Sequence, residues 1–188
     1  MPGSVNDKDF KLTQKEAFNI VYALARGHAL CFLPFMRKNF GSDALGIPGV
    51  IAFVLMLAVG GFGAIPEMWP FFIIWLGAML GQRISTMRAM RRGVIRHSRY
   101  EGDVDTKLFK NRETAKLIME PLVCVVGGVC FEWGGFSHAF AMFVGLGAFS
   151  MIFVALIDRQ LGRNRLQAMR DAAIEQSQLA AQFRGEVE

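Results

Sequence analysis

Two stretches of the sequence contain no Asp, Glu, Lys or Arg, and this feature constrains the fold more than any other. Residues 44–65 and 136–157 are each 22 residues long, and a helix of that length covers the hydrocarbon core of roughly 30 Å. Residues 68–87 and 117–133 are also apolar enough to cross, with their charged side chains near the headgroups. The sequence therefore predicts an all-α membrane protein with four transmembrane helices, arranged as two helical hairpins. A disordered chain and a single soluble domain are excluded, because the apolar residues are clustered in these runs.

The distribution of Lys and Arg predicts the orientation of these spans. Ten basic residues lie within 83–116, and four more lie within 158–170, directly after the fourth span. The two turns on the other side, 66–70 and 132–138, contain no Lys or Arg but each includes a tryptophan, Trp69 and Trp133. Basic residues next to short loops stay on the cytoplasmic side, and tryptophan favours the interface. We therefore expect a multi-pass protein of the inner (cytoplasmic) membrane with both termini in the cytoplasm.

This topology divides the chain into five segments. They are a cytoplasmic N-terminus with an interfacial amphipathic helix (1–43), transmembrane hairpin 1 (44–87), a basic cytoplasmic linker (88–116), transmembrane hairpin 2 (117–157) and a cytoplasmic helical tail (158–188). Small residues four apart, such as Gly77 and Gly81, allow close approach of helices within or between chains.

Residues 17–36 are apolar enough to compete as a fifth span. Arg26 lies in their middle, where a bilayer-spanning helix would lose about 2.5–3.5 kcal/mol. The amphipathic pattern of this segment instead predicts a helix that lies in the headgroup plane. The side chains expected to face lipid are Phe18, Val21, Leu24, Ala25 and Phe32. Thr13 and Glu16 form a capping box that would start this helix. The alternative is a helix packed on the protein's own cytoplasmic loops.

Glu120 and Glu132 are the ionisable residues nearest the membrane interior, and such residues are candidate functional groups. Each also has a structural explanation. Glu120 lies at the start of a helix, where it favours the positive end of the dipole and can reach Lys116 or a linker arginine. Glu132 lies at the far interface, where water can solvate it. Glu67 and His138 belong to the same outer turns, but two carboxylates and one imidazole make a weak metal signature, so no metal is predicted.

The start of the linker is the most basic segment of the chain. It contains six arginines and no acid over 83–99, and each such cation near an anionic leaflet contributes about 1 kcal/mol to membrane binding. We therefore predict binding of the bilayer and its anionic lipids by Arg83, Arg88, Arg91, Arg92, Arg96 and Arg99. Nucleic-acid binding is disfavoured, because few aromatic residues accompany these charges. Residues 97–103 have mixed charge and could dock a partner or a neighbouring subunit.

The tail contains apolar or small residues spaced by three and four, as in a coiled coil. We name these residues the tail stripe: Leu166, Met169, Ala173, Gln176, Ala180 and Phe183. The pattern suits a self-associating or partner-binding helix and a solvated helix equally well. We expect a function as a subunit of a homo-oligomer or a larger membrane complex, with a scaffold or assembly role. The alternative is an oligomeric ion or small-solute channel or transporter in which Glu120 or Glu132 lines the pore. No catalytic motif or cofactor-binding loop is present, so no catalytic residues are assigned and an enzyme is disfavoured.

Overall fold

The structure is a computed structural model that describes residues 7–41, 45–94, 102–104 and 115–184, and these residues are mostly helical. The predicted all-α class is therefore confirmed. In chain order the elements are α1 (Asp7–Leu30), α2 (Leu33–Met36), β1 (Arg37–Lys38), α3 (Ile47–Phe62), α4 (Met68–Arg91), β2 (Asp103–Val104), a π-helical turn (Ala115–Met119), α5 (Glu120–Trp133) and α6 (His138–Phe183). The chain divides into two compact units, Met1–Val154 and Ala155–Glu188.

The helices of the first unit begin and end close to the predicted spans. Prolines occupy the first turns of α3 and α5, where the missing N–H would have no helical partner. Among the described residues, the helix His138–Ala180 alone is both long and apolar enough to cross a membrane, with a mean hydropathy of 2.4 in its most apolar window. Helix α3 is apolar but shorter, at 16 residues. The length and hydropathy of the described helices thus support one membrane-spanning helix, and the four predicted spans remain a prediction.

The core of the first unit is made by residues from every major helix, and the end of α1 lies at its centre. Met56, Met68 and Trp75 are fully buried, together with Cys31 and Phe32. The indole N–H of Trp75 donates a hydrogen bond to the carbonyl of Leu30 at 3.0 Å. Because a buried backbone carbonyl must be satisfied where a helix ends, this bond stabilises the end of α1 inside the core.

Two expectations for the N-terminal segment are wrong. The capping box at Thr13 and Glu16 does not start the helix, because α1 begins at Asp7. Phe32 does not face lipid, because only 4% of it is exposed. Phe18, in contrast, is about half exposed, as expected. The physical reason is that α1 packs along α3 through Gly27, where a Cβ atom would lie 2.9 Å from Cβ of Ile51.

A short antiparallel pairing connects the N-terminal segment to the linker. Arg37 pairs with Val104 and Lys38 with Asp103. Gly102, at φ +87°, precedes this pair, and a Cβ atom there would lie 2.8 Å from the Lys38 carbonyl oxygen, so only glycine fits. The described end of the segment 97–103, which was expected to dock a partner, therefore pairs with this chain's own β1; residues 97–101 lie outside the described residues.

Candidate functional site

Arg37 and Glu120 form a buried ion pair where β1 meets the start of α5. Nε of Arg37 donates to Oε1 of Glu120 and Nη2 donates to Oε2, both at 2.6 Å. The exposed fractions are 5% for Arg37 and 2% for Glu120. Glu120 also lies in the first turn of α5, where the helix dipole favours a carboxylate. The guanidinium that pairs with Glu120 thus comes from the N-terminal segment, whereas the sequence analysis named Lys116 or a linker arginine.

The geometry of this pair determines its energetic role. Two parallel N–H···O bonds are the strongest arrangement that an arginine and a carboxylate can form. Removal of both charges from water is costly, and their attraction offsets that cost only while both partners are present. The pair therefore makes the position of β1 depend on α5, although the two residues are 83 positions apart in sequence.

Side chains near the end of α4 donate hydrogen bonds to backbone carbonyl groups of residues 34–40. Gln82 donates to the carbonyl of Arg37 at 2.9 Å and to that of Pro34 at 3.3 Å. Further along the helix, Thr86 donates to the carbonyl of Phe40 at 3.0 Å. These bonds satisfy the acceptors of a buried segment that has no helix of its own. As a result, the ion pair has a fixed position relative to α4.

A basic pocket of about 370 Å³ opens beside this segment. Its lining comes from one face of α4, the two residues after it and the turn after β1: Asn39, Gly81, Ser85, Arg88, Ala89, Arg92 and Val94. The two guanidinium groups and the hydroxyl and amide groups are hydrogen-bond donors. The pocket can therefore accommodate an anion with several acceptor oxygens.

The structure separates the six arginines that were expected to act together. Arg83 donates to the carbonyl of Leu45 at 3.3 Å, which is an internal contact. Arg88 and Arg92 line the basic pocket, whereas Arg91 is exposed outside its lining. Arg96 and Arg99 lie outside the described residues. The four described arginines, Arg83, Arg88, Arg91 and Arg92, are all exposed. Two of them, Arg88 and Arg92, share the lining of one pocket.

The outer-turn residues form two separate contacts. Glu67 accepts the backbone N–H of Ser137 at 3.1 Å and its hydroxyl at 3.0 Å, which connects the two hairpins. The N–H of Glu67 itself, and then the two Ser137 donors, favour the charged form and lower the pKa of Glu67. Glu132 pairs instead with His138 at 3.1 Å, and both are exposed. Within the described ranges, no three metal-binding side chains come together.

His28 is a half-buried polar residue near the end of α1 whose partners the sequence analysis missed. Its Nε2 lies 3.2 Å from the carbonyl oxygen of Phe143, and its Nδ1 lies 2.8 Å from Oγ of Ser150. The carbonyl can only accept, so Nε2 carries the proton and donates, and Nδ1 accepts from the serine hydroxyl. The sequence feature that could have indicated these partners is a histidine inside a largely apolar stretch, since a buried polar group requires hydrogen-bond partners.

Comparison of the chain with models of known protein families, with curated proteins and with solved structures gives no match.

Proposed function

We propose that this chain is a polytopic membrane protein that acts as a scaffold subunit of a homo-oligomeric or multi-protein membrane complex. The first support is the large number of exposed apolar side chains on the helices of the first unit. Phe62 is 96% exposed, and Ile47 and Phe149 are at least 70% exposed. Soluble monomers rarely expose large contiguous apolar patches, whereas lipid solvates such side chains.

The proposed orientation has both termini in the cytoplasm. Its support is the position of the charges: the basic pocket lies at the end of α4, whereas the turns at the opposite ends of α4 and α5 contain Glu67 and Glu132. Positive charge marks the cytoplasmic side. The scaffold would thus have its tail in the cytoplasm of a cell with an inner membrane.

The observation that carries the scaffold role is the exposure of the tail. All described side chains of 159–184 are exposed, including Leu166 and Met169 of the tail stripe. Most helical stability in proteins comes from packing of an apolar face, and the described part of this unit packs no such face. Another copy or another subunit is therefore the partner that we propose for the tail.

A channel or transporter is supported less well by the geometry. A pore-lining carboxylate must face water along the permeation path, whereas Glu120 is almost fully buried against Arg37. Glu132 is exposed, but it lies at a turn and pairs with His138. Both residues that a pore would use already have ionic partners in this chain.

Cysteine labelling tests the orientation. In a chain whose free cysteines Cys31, Cys124 and Cys130 are replaced by serine, His138→Cys should react with an impermeant maleimide added to intact spheroplasts. Ser177→Cys, in the tail, should react only after the membrane is permeabilised. His138 is the better outer position because its side chain is well exposed, whereas Ser137 is bonded to Glu67. Labelling of Ser177→Cys in intact spheroplasts would contradict the proposed orientation.

Changes in the tail test the scaffold role. Truncation after Leu161 and the double variant Leu166→Gln/Met169→Gln should both lower the mass of the complex in native detergent extracts. The truncation removes the whole tail stripe, and the double variant removes two of its apolar side chains. The matched control is Ile174→Gln/Leu179→Gln, which removes two similarly exposed apolar side chains from positions outside the stripe. An equal loss in the control would contradict a stripe-specific contact. Ion flux in liposomes that Glu120→Gln abolishes would favour the channel instead.

A further inference from the structure

The basic pocket at the end of α4 has the chemistry of a phosphate site, and its position connects that chemistry to the membrane. We propose that it binds the headgroup phosphate of one anionic phospholipid, whose acyl chain lies along the face of α4 that contains Gly77 and Gly81. This inference rests on the proposed membrane location. It replaces a diffuse attraction between many arginines and the leaflet by one site with a defined occupant.

The donors of the pocket fit a phosphate group. Within the part of the chain that the structure describes, neither Arg88 nor Arg92 forms an ion pair with an acid. Arg88 lies in the last turn of α4 and Arg92 is its C-cap residue, four positions further on, so the two residues lie on the same side of the helix end. Ser85 and Asn39 add a hydroxyl and an amide. Guanidinium groups bind phosphate oxygens through paired, charge-assisted hydrogen bonds.

The wall of the pocket opposite α4 has a fixed conformation. Asn39 has a φ of +66°, a conformation that asparagine tolerates better than most residues. It lies between β1, which is paired with β2, and Phe40, whose carbonyl accepts a hydrogen bond from Thr86. A site held in place before its ligand arrives loses less conformational entropy on binding.

The depth of the pocket matches a headgroup. Helix α4 begins at Met68, and Arg88 follows after about 30 Å of helix rise, which equals the thickness of the hydrocarbon core. With Met68 at the outer boundary, Arg88 reaches the inner boundary and Arg92 lies one turn beyond it. The two guanidinium groups are therefore at the level where lipid phosphates lie.

The face of α4 that leads away from the pocket favours a lipid over a soluble phosphate. Gly77, Gly81 and Ser85 succeed one another at intervals of four and share one face. A Cβ atom at Gly77 or Gly81 would meet nothing within 4 Å, and the larger apolar side chains of Leu80 and Ile84 beside them are exposed. The face is thus a shallow depression in an apolar surface, and it is continuous with the pocket through Gly81. An acyl chain can lie in this depression, whereas a soluble phosphate has no apolar group that could contact it.

The test is binding of defined probes to the purified full-length chain in detergent, measured by native mass spectrometry. The probes are phosphatidylglycerol, phosphatidylcholine and inorganic phosphate. We expect one phosphatidylglycerol per chain and much weaker binding of phosphatidylcholine, whose headgroup has no net negative charge. Arg88→Gln/Arg92→Gln should weaken phosphatidylglycerol binding about tenfold or more. The charge-matched control Arg163→Gln/Arg165→Gln should bind as the wild type does.

A second variant distinguishes a lipid from a soluble phosphate. Gly77→Leu fills the depression one helical turn from Gly81, the nearest residue of the pocket lining, and it leaves the guanidinium, hydroxyl and amide donors in place. It should therefore weaken phosphatidylglycerol binding several-fold and leave any phosphate binding unchanged. Phosphate binding that equals lipid binding, with no effect of Gly77→Leu, would overturn the lipid assignment. Equal losses in the two arginine double variants would overturn the discrete site. Extraction of the chain from membranes by alkaline carbonate would contradict the proposed membrane location as well, whereas an integral protein without selective phosphatidylglycerol binding would contradict this inference alone.

Discussion

Replacement of Arg37 by methionine is expected to lower the free energy of unfolding by about 3–5 kcal/mol. The variant leaves the carboxylate of Glu120, of which 2% is exposed, without its guanidinium partner and without access to water. The double variant Arg37→Met/Glu120→Leu removes both charges and should regain most of the lost stability, since well-packed apolar pairs often replace buried ion pairs without loss. Chemical unfolding in detergent micelles measures the three values.

The exposed pair Glu132–His138 is the matched control for this cycle. Both of its side chains are open to solvent, so Glu132→Gln should change stability by about 0–1 kcal/mol. If Arg37→Met costs no more than Glu132→Gln, the pair at β1 is not buried in the folded protein. If the double variant is as unstable as Arg37→Met, the loss comes from packing and not from an isolated charge.

Addition of one methyl group at Gly27 or Gly147 is expected to destabilise the first unit. A Cβ atom at Gly27 would lie 3.3 Å from the backbone nitrogen of Ala52, and one at Gly147 would lie 2.5 Å from Cε2 of the Phe32 ring. Overpacking of this kind costs about 1–3 kcal/mol. Alanine is better than glycine in a helix by about 0.8–1.0 kcal/mol, so the steric cost should prevail. Thermal unfolding of Gly27→Ala and Gly147→Ala measures the net effect.

Gly77→Ala provides the control, because nothing lies within 4 Å of its added Cβ atom. Its expected effect is neutral or stabilising by up to about 1 kcal/mol. Equal stability of Gly27→Ala and Gly77→Ala would mean that α1 does not pack on α3. The helix in the headgroup plane that the sequence predicts would then be the correct description of this segment.

The sequence predicts the helices of the hairpins well, because their signals are local. The first charge-free run, 44–65, contains α3 (Ile47–Phe62). The second charge-free run, 136–157, contains the start of α6 at His138. Apolar length and flanking prolines suffice for this prediction. The boundary between span and tail is less well predicted, because α6 continues as one helix to Phe183 with no breaker at Asp158.

The candidate site could not be predicted to the same extent, because its contacts join distant parts of the chain. Periodicity placed Glu120 at a helix start, but a partner 83 residues away leaves no local signal. The two-residue pairing of β1 with β2 is too short to produce a strand pattern. The amphipathic pattern agrees with the exposure of residues 14–21 of α1. It misplaced Phe32, because a large aromatic side chain suits lipid and a protein core equally well.

The pairing of Arg37 with Glu120 also sets the order of events during synthesis. A ribosome adds about 5–20 residues per second, so roughly 4–16 s pass between the two residues, and His28 waits longer still for Ser150, which follows it by 122 positions. The nascent chain therefore carries α1 before the surfaces that will enclose its end exist. The end of α1 thus acquires its partners from α6 only after nearly all of the first unit has been synthesised.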